Sequence, residues 1–103
     1  MGKCINDWVK TCYEASKSKG FWDKERNVGE MLMLTVSELG EAIEAHRSGT
    51  LGLEQKDTFE DELADTAIRL FDMCGGLGID LERQIEWKMS FNKTREAKHG
   101  KAY

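Results

Sequence analysis

The sequence predicts an all-α fold, an antiparallel four-helix bundle whose protomers assemble into a helical homo-oligomer. Three observations carry this. Apolar residues recur at three- and four-residue spacing, and strand alternation is scarce. Proline is absent from all 103 residues, which favours long helices. Glycines and capping residues divide the chain into four blocks joined by short connections, the pattern of an up-and-down bundle. Four short amphipathic helices make a thin core, which favours self-association.

The first block runs roughly from Ile5 to Ser18, with Ile5, Trp8, Val9 and Cys12 on one side, and Gly20 ends it. A loop follows, Phe21 to Arg26. Asn27 can cap the second helix, with Glu30 three residues later as its reciprocal partner. That helix runs to about Arg47 and stops at Ser48-Gly49, before a loop over residues 48–57. Asp57 or Thr58 can cap the third helix, with Glu60 or Asp61 at the third position and Gly78 as the stop after Leu77. Gly75 and Gly76 lie near its end and cost about 1 kcal/mol each relative to alanine if helical. They imply either close packing or an early end. Asp80 caps the fourth helix, which runs to about Ala97 before an irregular tail over residues 98–103.

Length and composition describe one domain over residues 1–103. Apolar residues make up 40% and charged residues 33%, too apolar for disorder and too polar for a membrane protein. The longest apolar run is Met31 to Leu34, far short of the roughly 18 residues of a membrane span. The net charge is -4, with 19 acids against 15 bases, the opposite of the balance expected for a nucleic-acid partner. The three cysteines, Cys4, Cys12 and Cys74, lack C-x-x-C spacing and read as reduced thiols. With no apolar signal-peptide core, a cytoplasmic protein is expected.

Carboxylates intrude on the packing pattern. On a helical wheel, Val28, Met31, Leu32, Leu34, Val36, Leu39, Ala42, Ile43 and Ala45 fall in one broad apolar arc. Glu38 falls inside that arc and Glu41 on its edge, so Met31, Leu34, Glu38, Glu41 and Ala45 form one stripe. A glutamate on a packing stripe is costly unless its charge is compensated. The third helix offers a second pair at the same spacing, Glu62 and Asp65, bordering Phe59, Leu63, Ala67, Leu70, Phe71 and Cys74. If the two helices pack antiparallel, four carboxylates converge. Oxygen-only ligands suit hard divalent cations, magnesium or manganese. Neither pair has a histidine three residues on, which argues against a di-iron carboxylate bundle. The plainer alternative is a solvated acidic surface, with Asp65 and Arg69 as an ordinary i, i+4 ion pair.

On the fourth helix, Leu81, Ile85, Lys88, Asn92 and Arg95 share a face. Two cations and an amide in a row can hold phosphate oxygens, with arginine suited to bidentate contact. Carboxylates for metal together with cations for phosphate are what a metal-dependent phosphoanhydride hydrolase requires.

The segment Ser37-Glu38-Leu39-Gly40-Glu41-Ala42, followed by Glu62-Leu63-Ala64-Asp65, resembles the MazG-like all-α nucleoside triphosphate pyrophosphohydrolases, relatives of the dimeric dUTPases and dCTP pyrophosphatases. Their hallmark is E-E-x-x-E on one helix and E-x-x-D on the next. The similarity extends from about Phe21 to Tyr103 and includes the Leu77-Gly78-Ile79-Asp80 turn, the Lys88, Asn92, Arg95 row and His99-Gly100-Lys101. Ser37 departs from the pattern, standing where the first glutamate would be.

The resemblance implies a helical homodimer or homotetramer that cleaves nucleoside triphosphates between the α and β phosphates, releasing a monophosphate and pyrophosphate. It implies that Glu38, Glu41, Glu62 and Asp65 coordinate magnesium, that one glutamate such as Glu41 accepts a proton from water, and that Lys88, Asn92 and Arg95 hold phosphates. Trp22 either stacks on a nucleobase or packs on the bundle, and Tyr103 can close the pocket from the tail. Asn27 is explained by its cap, His46 by packing, and Trp8 and Trp87 by a core or an interface. Ser37 leaves a second possibility, a module that binds nucleotide or metal without turnover.

Overall fold

The computed structural model of the chain describes residues 2–95, and four helices account for most of them: α1 (Ile5–Ser18), α2 (Val28–Arg47), α3 (Phe59–Leu77) and α4 (Leu81–Lys93). Side chains begin them. Asn27 Oδ1 accepts from the Glu30 N–H at 2.9 Å, Thr58 Oγ1 from the Asp61 N–H at 3.2 Å and Asp80 Oδ1 from the Arg83 N–H at 3.1 Å. At the start of α1, Asp7 accepts from the Cys4 N–H at 3.1 Å. Gly78 closes α3 in the left-handed region, φ 69°, which glycine enters without a Cβ penalty. The fourth helix is shorter than its sequence pattern suggests, and Arg95 lies beyond it. Thr94, the residue after its last turn, keeps a near-helical backbone, and its Oγ1 donates to the Phe91 carbonyl at 2.7 Å.

α3 is central, with α2 packed on one side and α1 on another. The expected four-helix bundle is therefore realised as three packed helices with a fourth leaning on α1. Asn6 makes that junction. Its amide donates to Asp80 Oδ1 at 2.8 Å, its backbone N–H meets Glu82 Oε1 at 3.3 Å, and its Oδ1 accepts from the Glu82 N–H at 3.3 Å. No residue of α4 is buried. The core is thin and made of Val9, Cys12, Met31, Ala42, Ala45, Met73 and Cys74. The cysteines are free.

Gly75 and Gly76 lie within α3, where neighbours occupy the space a side chain would need. A Cβ on Gly75 would run into Tyr13, and one on Gly76 into the ring of Trp22. Tyr13 meets Trp22 edge-on with ring centroids 5.6 Å apart, so the two glycines seat one aromatic pair. Gly76→Ala should therefore destabilise the protein by about 1–3 kcal/mol through overpacking, despite the better helix propensity of alanine. Chemical denaturation checks this, and a neutral or stabilising effect would mean that Trp22 is not seated there.

The broad apolar arc of α2 divides in two. Met31, Ala42 and Ala45 turn towards the core, with Leu34 half-buried. Leu32, Val36, Leu39 and Ile43, spaced 4-3-4, form a second stripe that is 44–54% exposed. On the geometry of a helix this stripe lies roughly 120° from the first.

Candidate metal centre

The loop between α2 and α3 fixes the two helices against each other. The Thr50 N–H donates to the Ala45 carbonyl at 2.9 Å, and the Phe59 N–H donates to the Thr50 carbonyl at 2.8 Å. Thr58, itself buried, donates its hydroxyl to the Gly52 carbonyl at 2.8 Å, and Glu60 Oε1 accepts from the Gly52 N–H at 2.9 Å. The first turn of α3 is thereby set beside α2, where Glu38 and Glu41 face it. Glu62 sits in that first turn, where the helix dipole favours an anion.

Carboxylate oxygens of Glu38, Glu41 and Glu62 lie within 4.8 Å of one another. Glu62 is only 6% exposed and Glu38 only 8%, while Glu41 is open to solvent. Glu62 Oε2 is buried with no hydrogen-bond partner. Burial, reinforced by the charge and hydrogen bond of Glu41 and the charges of Asp65 and Glu38, pushes the Glu62 carboxyl up to about 7. Asp65 stands half-buried beside the trio, and burial followed by the charge of Glu38 raises its carboxyl too. A buried orphaned oxygen within an oxygen-only donor set drawn from two helices fits a hard divalent cation. Asp57 and Asp61 extend the acidic patch from Glu62 into the loop. Asp61 Oδ2 there accepts from the Asp57 N–H at 2.8 Å.

Arg69 departs from the plainer alternative of an i, i+4 pair with Asp65. Its Nε donates to Glu38 Oε1 at 3.2 Å across the helix pair, so its ion-pair partner is Glu38 and not Asp65. Glu62, Asp65, Arg69, Asp72 and Gly76 form a single 3-4-3-4 stripe along α3. Spacing alone shows that stripe, but the partner of Arg69 depends on the register between two helices.

Further along the same stripe, Asp72 holds Trp22. The indole N–H donates to Asp72 Oδ1 at 2.8 Å, Arg26 reaches Asp72 Oδ2 at 3.3 Å, and the Arg26 guanidinium lies 4.9 Å from the Trp22 ring centre. Trp22 is thus packed against Tyr13 and Gly76 with its residue surface half-buried. His46 meets Phe59 edge-on at 5.1 Å but keeps its residue surface exposed. Trp8 and Trp87 are both exposed, so neither belongs to the core of this chain.

The structure does not bring Lys88, Asn92 and Arg95 to the carboxylates. All three are exposed, on or just beyond α4, which packs chiefly on α1. Lys88 Nζ and Arg95 Cζ lie 5.2 and 5.4 Å from the centre of the Phe91 ring, which stacks on Trp87 at 5.3 Å. Tyr103 and the His99-Gly100-Lys101 segment lie outside the described residues. An open concavity lined by Ile79, Asp80, Arg83, Gln84 and Trp87 sits at the foot of α4 and shares no residue with the carboxylate site.

The proton on Glu62 has a consequence for stability. The folded chain holds it to about pH 7, whereas an ordinary glutamate releases it near 4.5. Between those values the folded state binds more protons than the unfolded one, so the metal-free protein should lose stability as pH rises through that window. Asp65 acts in the same direction. Asp7 and Asp80 are shifted downwards, so their contribution changes only in more acidic solution. Melting of the metal-free protein at about pH 5 and about pH 8 should show the loss, Glu62→Gln should flatten it, and magnesium should reverse it. A flat profile in the parent chain would mean that Glu62 ionises normally.

Compared with protein-family models, curated proteins and solved structures, the chain matches none of them.

Proposed function

We propose that this chain is a metal-dependent nucleotide pyrophosphohydrolase of the MazG-like kind. It hydrolyses ribo- or deoxyribonucleoside triphosphates between the α and β phosphates to a monophosphate and pyrophosphate. The observation that carries this is the meeting of Glu38, Glu41 and Glu62 around a buried, unpartnered oxygen. The motif pair on α2 and α3 supplies the substrate class.

Glu38, Glu41, Glu62 and Asp65 would hold magnesium, with manganese as an alternative. The bound cation supplies neutralisation of phosphate charge and a lowered pKa for an attacking water. Glu41, the exposed member of the trio, is the residue open to accept that proton. Lys88, Asn92 and Arg95 hold phosphates, and because α4 stands away from the carboxylates of its own chain, a neighbouring copy supplies them. The exposed stripe Leu32, Val36, Leu39, Ile43 supports a homodimer or homotetramer. Trp22 offers a half-buried ring as one wall for the base, and Tyr103 completes the proposed contacts from the tail. No helix of the described chain is long and apolar enough to cross a membrane. A cytoplasmic role in cleaning or controlling the nucleotide pool follows from this activity.

Incubation with the common ribo- and deoxyribonucleoside triphosphates, with and without magnesium, followed by anion-exchange chromatography, tests the proposal and ranks the bases. Metal-dependent loss of triphosphate is expected. Lys88→Ala and Arg95→Ala should then raise KM by about tenfold if they hold ground-state phosphates. Unchanged KM and kcat would make them surface charges. A second reading, a module that binds without turnover, is favoured by Ser37 and by the guanidinium already seated on Glu38. Nucleotide binding under saturating magnesium with no product from any substrate would select it.

A further inference from the structure

Among the described residues, one cation forms an ion pair with the carboxylate trio. Arg69 Nε sits 3.2 Å from Glu38 Oε1, with the glutamate side chain 11% exposed and the arginine side chain 40% exposed. Glu41 and Glu62 have no such partner among those residues, and one oxygen of Glu62 has no partner at all. Arg69 follows Asp65 by one turn on the same stripe of α3, so its guanidinium is held at the edge of the trio. A buried carboxylate needs a counter-charge, and here the chain provides its own. A divalent cation at the trio would put a second positive charge on the same carboxylate.

We propose that Arg69 is an internal competitor for the divalent cation, holding Glu38 in the metal-free site and yielding it when the cation binds. This rests on the metal-binding function proposed above and adds a positioning residue to it. Arg69 keeps the Glu38 carboxylate aimed at α3 before metal arrives, and it lowers metal affinity by the strength of its own hold. Linkage makes the effect reciprocal, so the bound cation weakens the ion pair by the factor that the ion pair weakens the cation.

The test is a calorimetric titration of the full chain with manganese alone at one fixed pH of about 8. Parent, Arg69→Gln and Arg69→Lys are compared. Arg69→Gln should bind manganese at least about fivefold more tightly, a typical minimum for coupled sites. Arg69→Lys, which keeps the charge, should stay near the parent. Equal or weaker binding by Arg69→Gln would overturn the proposal, and weaker binding is what a merely structural arginine predicts. The parent provides a second readout that needs no variant: the Arg69 Nε–H resonance should move on saturation with magnesium, and an unmoved resonance in the loaded protein would also overturn the proposal. Absence of binding in parent and variants alike would remove the metal site itself, an outcome distinct from equal binding in all three.

Discussion

Glu62→Gln, Glu38→Gln and Asp65→Asn should each lower metal-dependent triphosphate hydrolysis by more than about 100-fold, the upper range for disturbing the surroundings of a bound metal. Circular dichroism should show the helical fold intact, because capping by Asn27, Thr58 and Asp80 does not involve these residues. Their effects on the metal-free protein should differ. Glu62→Gln removes a buried acid crowded by Glu41, Asp65 and Glu38, and should raise the melting temperature above pH 7. Glu38→Gln removes the partner of Arg69 and should raise it less or not at all. A solvated acidic patch would show no such contrast. Full activity in all three variants would eliminate the carboxylates as the metal site.

Val36→Glu combined with Ile43→Glu should convert the proposed homo-oligomer to monomer. Both residues are 54% exposed on the second stripe of α2, so the change should leave the fold of the single chain intact. Light scattering after size-exclusion chromatography reads the result. In the proposed arrangement the monomer also loses activity, since the phosphate-holding row of the neighbouring copy is absent, while manganese binding persists. A parent chain that is already monomeric, or a double variant that assembles unchanged, would remove the stripe as an interface.

Which features are legible in the sequence depends on the range of each signal. Asn27, Thr58 and Asp80 act within three residues of themselves, so the starts of three helices follow from the sequence. Gly78 likewise ends α3 by its own backbone conformation. The end of α4 was less legible, because the helix closes at Lys93 inside a pattern expected to run to about Ala97. Periodicity gave the apolar arc of α2 but not its division, since a wheel does not say which part meets α3 and which part stays exposed. The carboxylate spacing placed Glu38, Glu41 and Glu62 on facing stripes. It did not reveal that Arg69 crosses to Glu38, or that Asp65 stands beside the trio rather than within it. These depend on the relative height of two helices. Gly76 offered a clue to Trp22, because a glycine inside a helix implies a close neighbour, but only packing identifies that neighbour.

The most direct test of the central claim is phosphorus NMR of a nucleoside triphosphate turned over by the purified protein with magnesium. Signals of nucleoside monophosphate and pyrophosphate should grow together and be lost when the metal is chelated. Diphosphate with orthophosphate, or the same products without metal, would contradict the claim.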